Sequence, residues 1–184
     1  MLEVAYRHEE EIRDKLMDTW YDPHYMFFHN RPFRDQFKLP DQEGDWNYRC
    51  FASIDDYDRV IGFIGFSINR THDLVENIEI INFSMNPKNK LVFAIDVAKA
   101  IDDIFRVYNF RKVEFYVIIG NPVEKTYDRL VKKYGGNIIG IKHKAVKLLD
   151  MNYYDIKEYE IFREDYLAAT ENIKDRIRRM YANN

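Results

Sequence analysis

The chain has 184 residues, enough for one domain with its own hydrophobic core. Its 28 basic and 31 acidic residues nearly balance and form no long run of one sign. The composition therefore argues against a nucleic-acid-binding protein and against a basic membrane-binding protein. Aromatic residues make up 16% of the chain, and the cluster from Trp20 to Phe37 belongs either to the core or to the lining of a cleft.

Cysteine and histidine usage predicts a cytoplasmic protein without a metal. The single cysteine, Cys50, excludes an internal disulfide and is expected to be a small buried hydrophobe. The first residues are followed at once by charges, so no signal peptide is expected, and no apolar run reaches the length of a membrane span. The five histidines show none of the spacings typical of metal sites.

The N-terminal half alternates between strand and helix patterns. In chain order the periodicity predicts a strand at 2–6, a helix at 8–20, a short helix at 24–28, a loop at 30–46 and strands at 48–54 and 60–68. The last of these is a nearly continuous apolar run, which is typical of a central strand covered on both faces. A polar loop at 69–77 follows.

The stretch 78–105 predicts a buried strand at 78–85, a polar turn at 86–90 and a long amphipathic helix beginning near Lys90. The first N–H groups of a helix have no intrahelical partner and lie at the positive end of its dipole, so such a turn is a candidate anion site. The helix is expected to face the sheet with one apolar stripe, formed by Leu91, Ala94, Ala98, Ile101, Phe105 and Tyr108.

The C-terminal part predicts a strand, a helix and a hairpin. The strand at 113–119 leads to Asn121, which is placed to cap a helix that begins at Pro122 and ends before Gly135. Strands at 138–149 and 153–162 form the hairpin. The remaining charged helix, 163–184, either packs back on the domain or serves self-association, for which a homodimer is the expected form.

The residues that follow Glu79 resemble the strand-to-helix motif of the GNAT N-acetyltransferase superfamily. Glu79 begins a strand, a proline lies near its end, and the run Phe93-Ala94-Ile95-Asp96-Val97 lies in the helix. Further similarities point to the branch that acetylates ribosomal-protein N-termini: Asn121-Pro122-Val123, Tyr154-Asp155 and Arg163-Glu164-Asp165-Tyr166. The resemblance covers nearly the whole chain.

The resemblance implies a single-domain α/β (α+β) fold at 1–163, with a mixed twisted sheet of about seven strands flanked by helices, and an extra C-terminal helix at 164–184. It also implies an enzyme that transfers the acetyl group of acetyl-CoA to a primary amine, by direct attack. The acceptor amine belongs to a protein N-terminus or to a small molecule.

Two side chains are implied as catalytic. Glu79 takes the proton from the amine, and Tyr127 returns one to the CoA thiolate. Structural roles remain open for both, because Glu79 could be a paired or solvated carboxylate at the wet end of its strand and Tyr127 also belongs to the apolar stripe of its helix.

CoA is expected to be bound largely by backbone. The pantetheine arm pairs like an extra strand beside Phe83, Ser84 and Met85, and Asn121 contacts it. The pyrophosphate meets the turn and the helix that follows, at Asn89, Lys90, Leu91, Val92, Phe93 and Ala94, with charge from Lys88 or Lys90.

The family signature Arg/Gln-x-x-Gly-x-Gly/Ala falls on Asn89, Val92 and Ala94, so only its last position is kept. Val92 does not favour the close backbone approach that glycine allows. A second function therefore stays open: a degenerate GNAT-like domain that binds CoA weakly or not at all and acts as a protein-interaction module.

Overall fold

The computed structural model describes residues 1–28, 39 and 47–182, with the backbone alone for 174–182, so most of the predicted loop at 30–46 lies outside the described residues. Seven described strands form one sheet in the order β1-β2-β3-β4-β5-β7-β6. The strands are β1 (Leu2–Val4), β2 (Tyr48–Ile54), β3 (Val60–Asn69), β4 (Leu74–Asn82), β5 (Lys112–Ile118), β6 (Asn137–Lys147) and β7 (Tyr153–Phe162). The helices are α1 (Glu9–Asp18), α2 (Pro87–Arg106), α3 (Glu124–Lys133) and α4 (Arg163–Ala182).

The sheet is mixed, as predicted. Its neighbouring strands are antiparallel except for β4 and β5, which are parallel. The connection between these two is α2, as parallel strands require a crossover. Strand β3 is buried along almost its whole length, which confirms the central strand that its continuous apolar run predicted.

Apolar side chains cover both faces of the sheet. One face, called the α1 face below, carries α1 over a core that includes Ile12, Leu16, Cys50, Ala52, Phe63 and Ile81. The opposite face carries α2, α3 and α4, with Ile104 and Phe105 of α2 against Phe66, Val75 and Val113, and Val131 of α3 against Val117 and Tyr159. Cys50 is fully buried, as expected.

Strand β4 spans Leu74–Asn82 rather than 78–85. The predicted loop at 69–77 is therefore wrong in its second half, and the predicted strand ends three residues too late, so that 83–85 lie after β4. Leu74 and Val75 are buried and pair with β5. The strand signal was broken by Asn77, whose φ of 53° interrupts the alternation, and the pairing with β3 shifts register nearby. A bulge of this kind hides a strand from a period-2 pattern.

Helix α2 begins at Pro87, three residues before the predicted start, and its buried face was predicted wrongly. Asn86 caps the helix by accepting a hydrogen bond from the Lys88 N–H at 2.8 Å. The buried positions are Phe93, Asp96, Ala100, Ile104 and Phe105, whereas Leu91, Ala94 and Ala98 of the predicted stripe are exposed.

Two long-range contacts set this helix orientation. The Phe93 ring lies where a side chain at Gly62 would be, because a Cβ there would come within 2.2 Å of the ring. The buried Asp96 carboxylate accepts a hydrogen bond from the Ser53 hydroxyl at 2.6 Å and lies 3.3 Å from the ammonium group of Met1. Because Asp96 is charged, the hydrophobic pattern did not indicate that its position belongs to the buried face of α2.

Two smaller boundaries also differ from the prediction. The short helix at 24–28 is a single 3₁₀ turn at Pro23–Tyr25, and α3 begins at Glu124 rather than at Pro122. Helix α4 packs back on α2: Tyr166 stacks on Phe105 at a centroid distance of 4.6 Å. This contact favours the first of the two roles considered for the C-terminal helix.

Candidate active site

Strands β4 and β5 separate after a short parallel contact. Their register pairs are Leu74 with Lys112 and Val75 with Val113. Beyond this point β4 continues to pair with β3 as far as Asn82, and β5 continues to pair with β7 as far as Ile118. The two strands therefore have free inner edges that face each other across an opening, and a free edge can pair with an extended ligand.

Glu79 lies on β4 at this opening. It pairs in register with Gly65 and is half-buried. Its neighbour on the same side of the strand, Ile81, belongs to the core of the α1 face, so the Glu79 carboxylate points to that face. The predicted base is thus on a strand that ends at the opening, on the side of the sheet that α1 covers.

Two tyrosines lie close enough to Glu79 for its negative charge to raise their pKa. Burial raises the pKa of Tyr48 on β2, and the negative charge of Glu79 raises it further. The pKa of Tyr116 on β5 is raised by the same two causes in the same order. Glu79 therefore lies within electrostatic reach of a phenol on each side, one of them across the opening.

The segment after α1 contacts the chain at the ends of both strands that border the opening, β4 and β5, on the α1 face. The Tyr25 hydroxyl donates a hydrogen bond of 3.0 Å to the backbone carbonyl of Asn82, at the end of β4. Phe27 lies against Gly120, just after β5, and makes an edge contact with Tyr154 at 6.1 Å. Phe27 thus lies beside the opening, whereas Tyr25 and Phe28 also pack against the core of the α1 face, so the described part of the N-terminal aromatic cluster contributes to both.

The first turn of α2 offers fewer amides to an anion than predicted. Pro87 has no N–H, the Lys88 N–H is taken by the Asn86 side chain, and the Lys90 N–H donates to the Asn86 carbonyl at 2.9 Å. Amides further along belong to the intrahelical ladder. In this turn the Asn89 N–H is the amide left for a ligand.

Lys88 and Lys90, the two residues expected to supply positive charge at this turn, differ in their contacts. Lys88 forms an ion pair with Asp56 at 2.5 Å, and both side chains are largely exposed. An exposed pair of this kind contributes little, so Lys88 can exchange Asp56 for a phosphate at small cost. Lys90 is exposed as well.

The other predicted cofactor residues divide into two groups. Val92 and Phe93 pack into the core beneath α2, and Phe83 packs against the core of the α1 face. The remainder are accessible along the start of α2: Ser84, Met85, Asn89, Leu91 and Ala94. Met85 and Leu91 are 62% and 64% exposed.

The link before α2 is rigidified by short-range hydrogen bonds. The Ser84 hydroxyl accepts one from the Asn89 amide group at 3.2 Å, and the Ser84 N–H donates to the Asn82 side chain at 2.9 Å. The link holds a fixed conformation without glycine.

Tyr127 lies on α3, on the face of the sheet opposite to Glu79. Its ring contacts Phe115 and Tyr159 edge-on, as the predicted apolar stripe required. Burial raises the pKa of Tyr127 to about 12, so its hydroxyl is protonated at neutral pH. Asn121 caps the turn before α3 by accepting a hydrogen bond from the Val123 N–H at 3.0 Å.

A polar network that the sequence did not indicate fixes α3 on β7. The Lys157 ammonium contacts Asp128 at 2.6 Å, and the Tyr159 hydroxyl donates to the same carboxylate at 2.8 Å. Asp128 follows Tyr127 directly, so this network holds the helix that carries the predicted acid.

Two features are absent from the described residues. No group of three or more potential metal ligands occurs among them. In the same part of the chain, no helix combines the length and apolarity that a membrane span requires.

Solved structures provide the comparison, since no protein-family model and no curated protein matches the sequence. A spermidine N-acetyltransferase from Vibrio cholerae in complex with CoA and spermine has a TM-score of 0.70 and 21% identity, covering 91% of this chain and 97% of that one. A chimera of the Vibrio cholerae protein and hSSAT gives 0.71 and 20%, with the same coverage of 91% and 97%. Mutant forms of the spermidine/spermine enzyme from that organism give 0.68 and 20%, covering 92% and 97%.

These neighbours agree with the present chain over almost its whole length and almost their own. They are spermidine N-acetyltransferases and do not single out the ribosomal-protein branch. At this level of identity the similarity establishes the fold alone: the chain has the same fold as these spermidine N-acetyltransferases.

Proposed function

We propose that the protein is an acetyl-CoA-dependent N-acetyltransferase that acts on a primary amine by direct attack. The observation that carries this proposal is the opening between β4 and β5, where Glu79 lies beside free strand edges. A structural neighbour with the same fold has been solved with CoA and an amine, spermine, bound together.

The residues present fit the pantetheine arm better than the pyrophosphate. An extended ligand can donate hydrogen bonds to the backbone carbonyls of Phe83, Ser84 and Met85 whatever their side chains are. The Phe83 N–H donates to the Ile61 carbonyl and the Ser84 N–H to the Asn82 side chain, so these two groups are not part of that pairing. The phosphates can use the Asn89 N–H and the charge of Lys90, with Lys88 released from its exposed pair. The loss of one charged hydrogen bond relative to the full signature corresponds to binding weaker by roughly 10 to 100-fold, so we expect a micromolar site.

The two catalytic side chains act from opposite faces of the sheet. Acetyl-CoA supplies the thioester carbonyl carbon that the amine attacks. Glu79 takes a proton from the acceptor ammonium, directly or through water, and so frees the nitrogen lone pair that forms the new N–C bond. As the C–S bond breaks, the acetylated nitrogen releases its second proton to solvent and Tyr127 gives its hydroxyl proton to the sulfur. Exchange with solvent then returns both groups to their starting states.

A small polyamine is the first acceptor to test. The neighbours include an enzyme solved with spermine, and the aromatic lining at Tyr25 and Phe27 with a carboxylate at Glu79 suits an organic cation. The resemblance to the ribosomal-protein branch makes a protein N-terminus the rival acceptor. The test is acetyl-CoA turnover against spermidine, spermine, simple alkylamines and N-terminal peptides, with products identified by mass spectrometry.

One observation favours a second function, a GNAT-like interaction module without turnover. Helix α2 starts early, and most N–H groups of its first turn are absent or already hydrogen-bonded within the chain. The glycine of the family signature is replaced by Val92. If none of the amines is acetylated and acetyl-CoA does not bind, this second function replaces the first.

A further inference from the structure

The hydroxyl of Tyr48 lies against the backbone of Gly65 on β3. A Cβ at Gly65 would be 2.4 Å from the Tyr48 Oη, so a side chain there would displace the hydroxyl. Gly65 pairs in register with Glu79 on β4, and paired residues of antiparallel strands point to the same face. The phenol and the carboxylate therefore lie on the α1 face, on either side of Gly65.

The Tyr48 hydroxyl is available to a ligand. Tyr48 packs against the core of the α1 face, and burial together with the charge of Glu79 raises its pKa, so the phenol is neutral at physiological pH. A neutral phenol oxygen accepts hydrogen bonds as well as donating one. Within the described part of the chain, no residue forms a hydrogen bond with this hydroxyl.

We propose that Tyr48 binds the acceptor amine together with Glu79. This inference rests on the proposed function. A primary ammonium has several N–H groups: one gives its proton to Glu79, and a second donates a hydrogen bond to the Tyr48 Oη. Contacts from two strands on either side of Gly65 fix the direction of the nitrogen lone pair as well as its position.

Amine binding by Tyr48→Phe tests this directly. Calorimetry with spermidine on the CoA-loaded protein should show a Kd about three- to tenfold higher than wild type, with the Kd for CoA unchanged. The KM for spermidine should rise by the same factor. Tyr153→Phe removes a hydroxyl from an exposed ring on β7 and is the matched control, expected to equal wild type.

The outcomes separate the two proposals. Tyr48→Phe with wild-type spermidine affinity overturns the inference, as does a wild-type protein that binds no spermidine. A wild-type protein that binds spermidine but never acetylates it refutes the proposed function, and the ratio of the two Kd values still decides the role of Tyr48.

A double-mutant cycle on thermal unfolding checks where the hydroxyl lies. Gly65→Ala should lower the melting temperature of wild type more than that of Tyr48→Phe, because the hydroxyl that collides with the new methyl is absent from the second protein. Equal decreases in both backgrounds would contradict the contact and with it the inference.

Discussion

Replacing Tyr127 with phenylalanine separates the proposed chemistry of this residue from its packing. The ring contacts Phe115 and Tyr159 at centroid distances of 5.3 and 6.3 Å, and phenylalanine keeps both contacts. Among the described residues none forms a hydrogen bond with the hydroxyl, so its removal breaks no bond made on folding. We expect an unchanged or slightly higher melting temperature at neutral pH and a kcat lower by on the order of 10²-fold.

The same substitution has a stability effect confined to high pH. Burial raises the pKa of Tyr127 from 10.0 to about 12. Because the folded-state pKa is the higher one, the associated stabilisation is complete below pH 10 and is lost as the pH rises through 12. Two pKa units correspond to about 2.7 kcal/mol. Wild type should therefore lose about 2 to 3 kcal/mol of unfolding free energy across this range that Tyr127→Phe retains.

Urea denaturation of both proteins from pH 7 to 12, combined with steady-state acetyl transfer, measures the two effects. Tyr127→Ala provides the contrast, since emptying the ring's place should lower the free energy of unfolding by about 3 to 5 kcal/mol. A wild-type kcat in Tyr127→Phe would remove the residue from the chemistry, and parallel stability curves would refute the burial argument.

Other substitutions test the remaining parts of the site and fold. Glu79→Gln should lower kcat about 100-fold near pH 7 and less at high pH, where free amine is abundant, and an effect independent of pH would leave Glu79 a structural residue. Asp96→Ala leaves the buried Ser53 hydroxyl without its acceptor and should cost about 1 to 3 kcal/mol in urea titrations. Asp103→Ala breaks an exposed ion pair of the same helix and should cost at most about 0.5 kcal/mol, so equal costs would contradict the burial of Asp96. Lys90→Ala should weaken CoA binding about tenfold but not the binding of a pantetheine fragment without the pyrophosphate, and equal weakening of both would exclude Lys90 from the phosphate site.

The overall fold could be predicted because its signals are local. The apolar run of β3, the cap at Asn121 and the alternation that leads into β5 each follow from neighbouring residues. Together with the motif around Glu79 they were enough to predict a mixed sheet of about seven strands flanked by helices. The placement of Glu79 on a strand also followed from the resemblance.

The details that sequence missed depend on partners far along the chain. Nothing next to Asp96 indicates that Ser53 will make its burial favourable. The register that brings Tyr48 and Glu79 to the two sides of Gly65 spans three strands and includes a shift. A glycine inside a strand was the available signal, because it often marks a close approach of another group.

The early start of α2 was missed for a different reason. Pro87 at the first helical position and Asn86 as its cap are standard start signals, but the family signature placed the turn later in the chain. Local capping chemistry was the better guide to this boundary, and it changes which amides can meet a phosphate.

Isothermal calorimetry of the wild-type protein with acetyl-CoA tests the central claim most directly, because both the opening between β4 and β5 and the altered start of α2 must bind this one ligand. We expect a Kd in the micromolar range. At about 100 times that Kd, the ligand should stabilise the folded protein by roughly 2.7 kcal/mol in a parallel thermal melt. No heat and no shift in melting temperature at millimolar acetyl-CoA would contradict the proposed acetyl-CoA site.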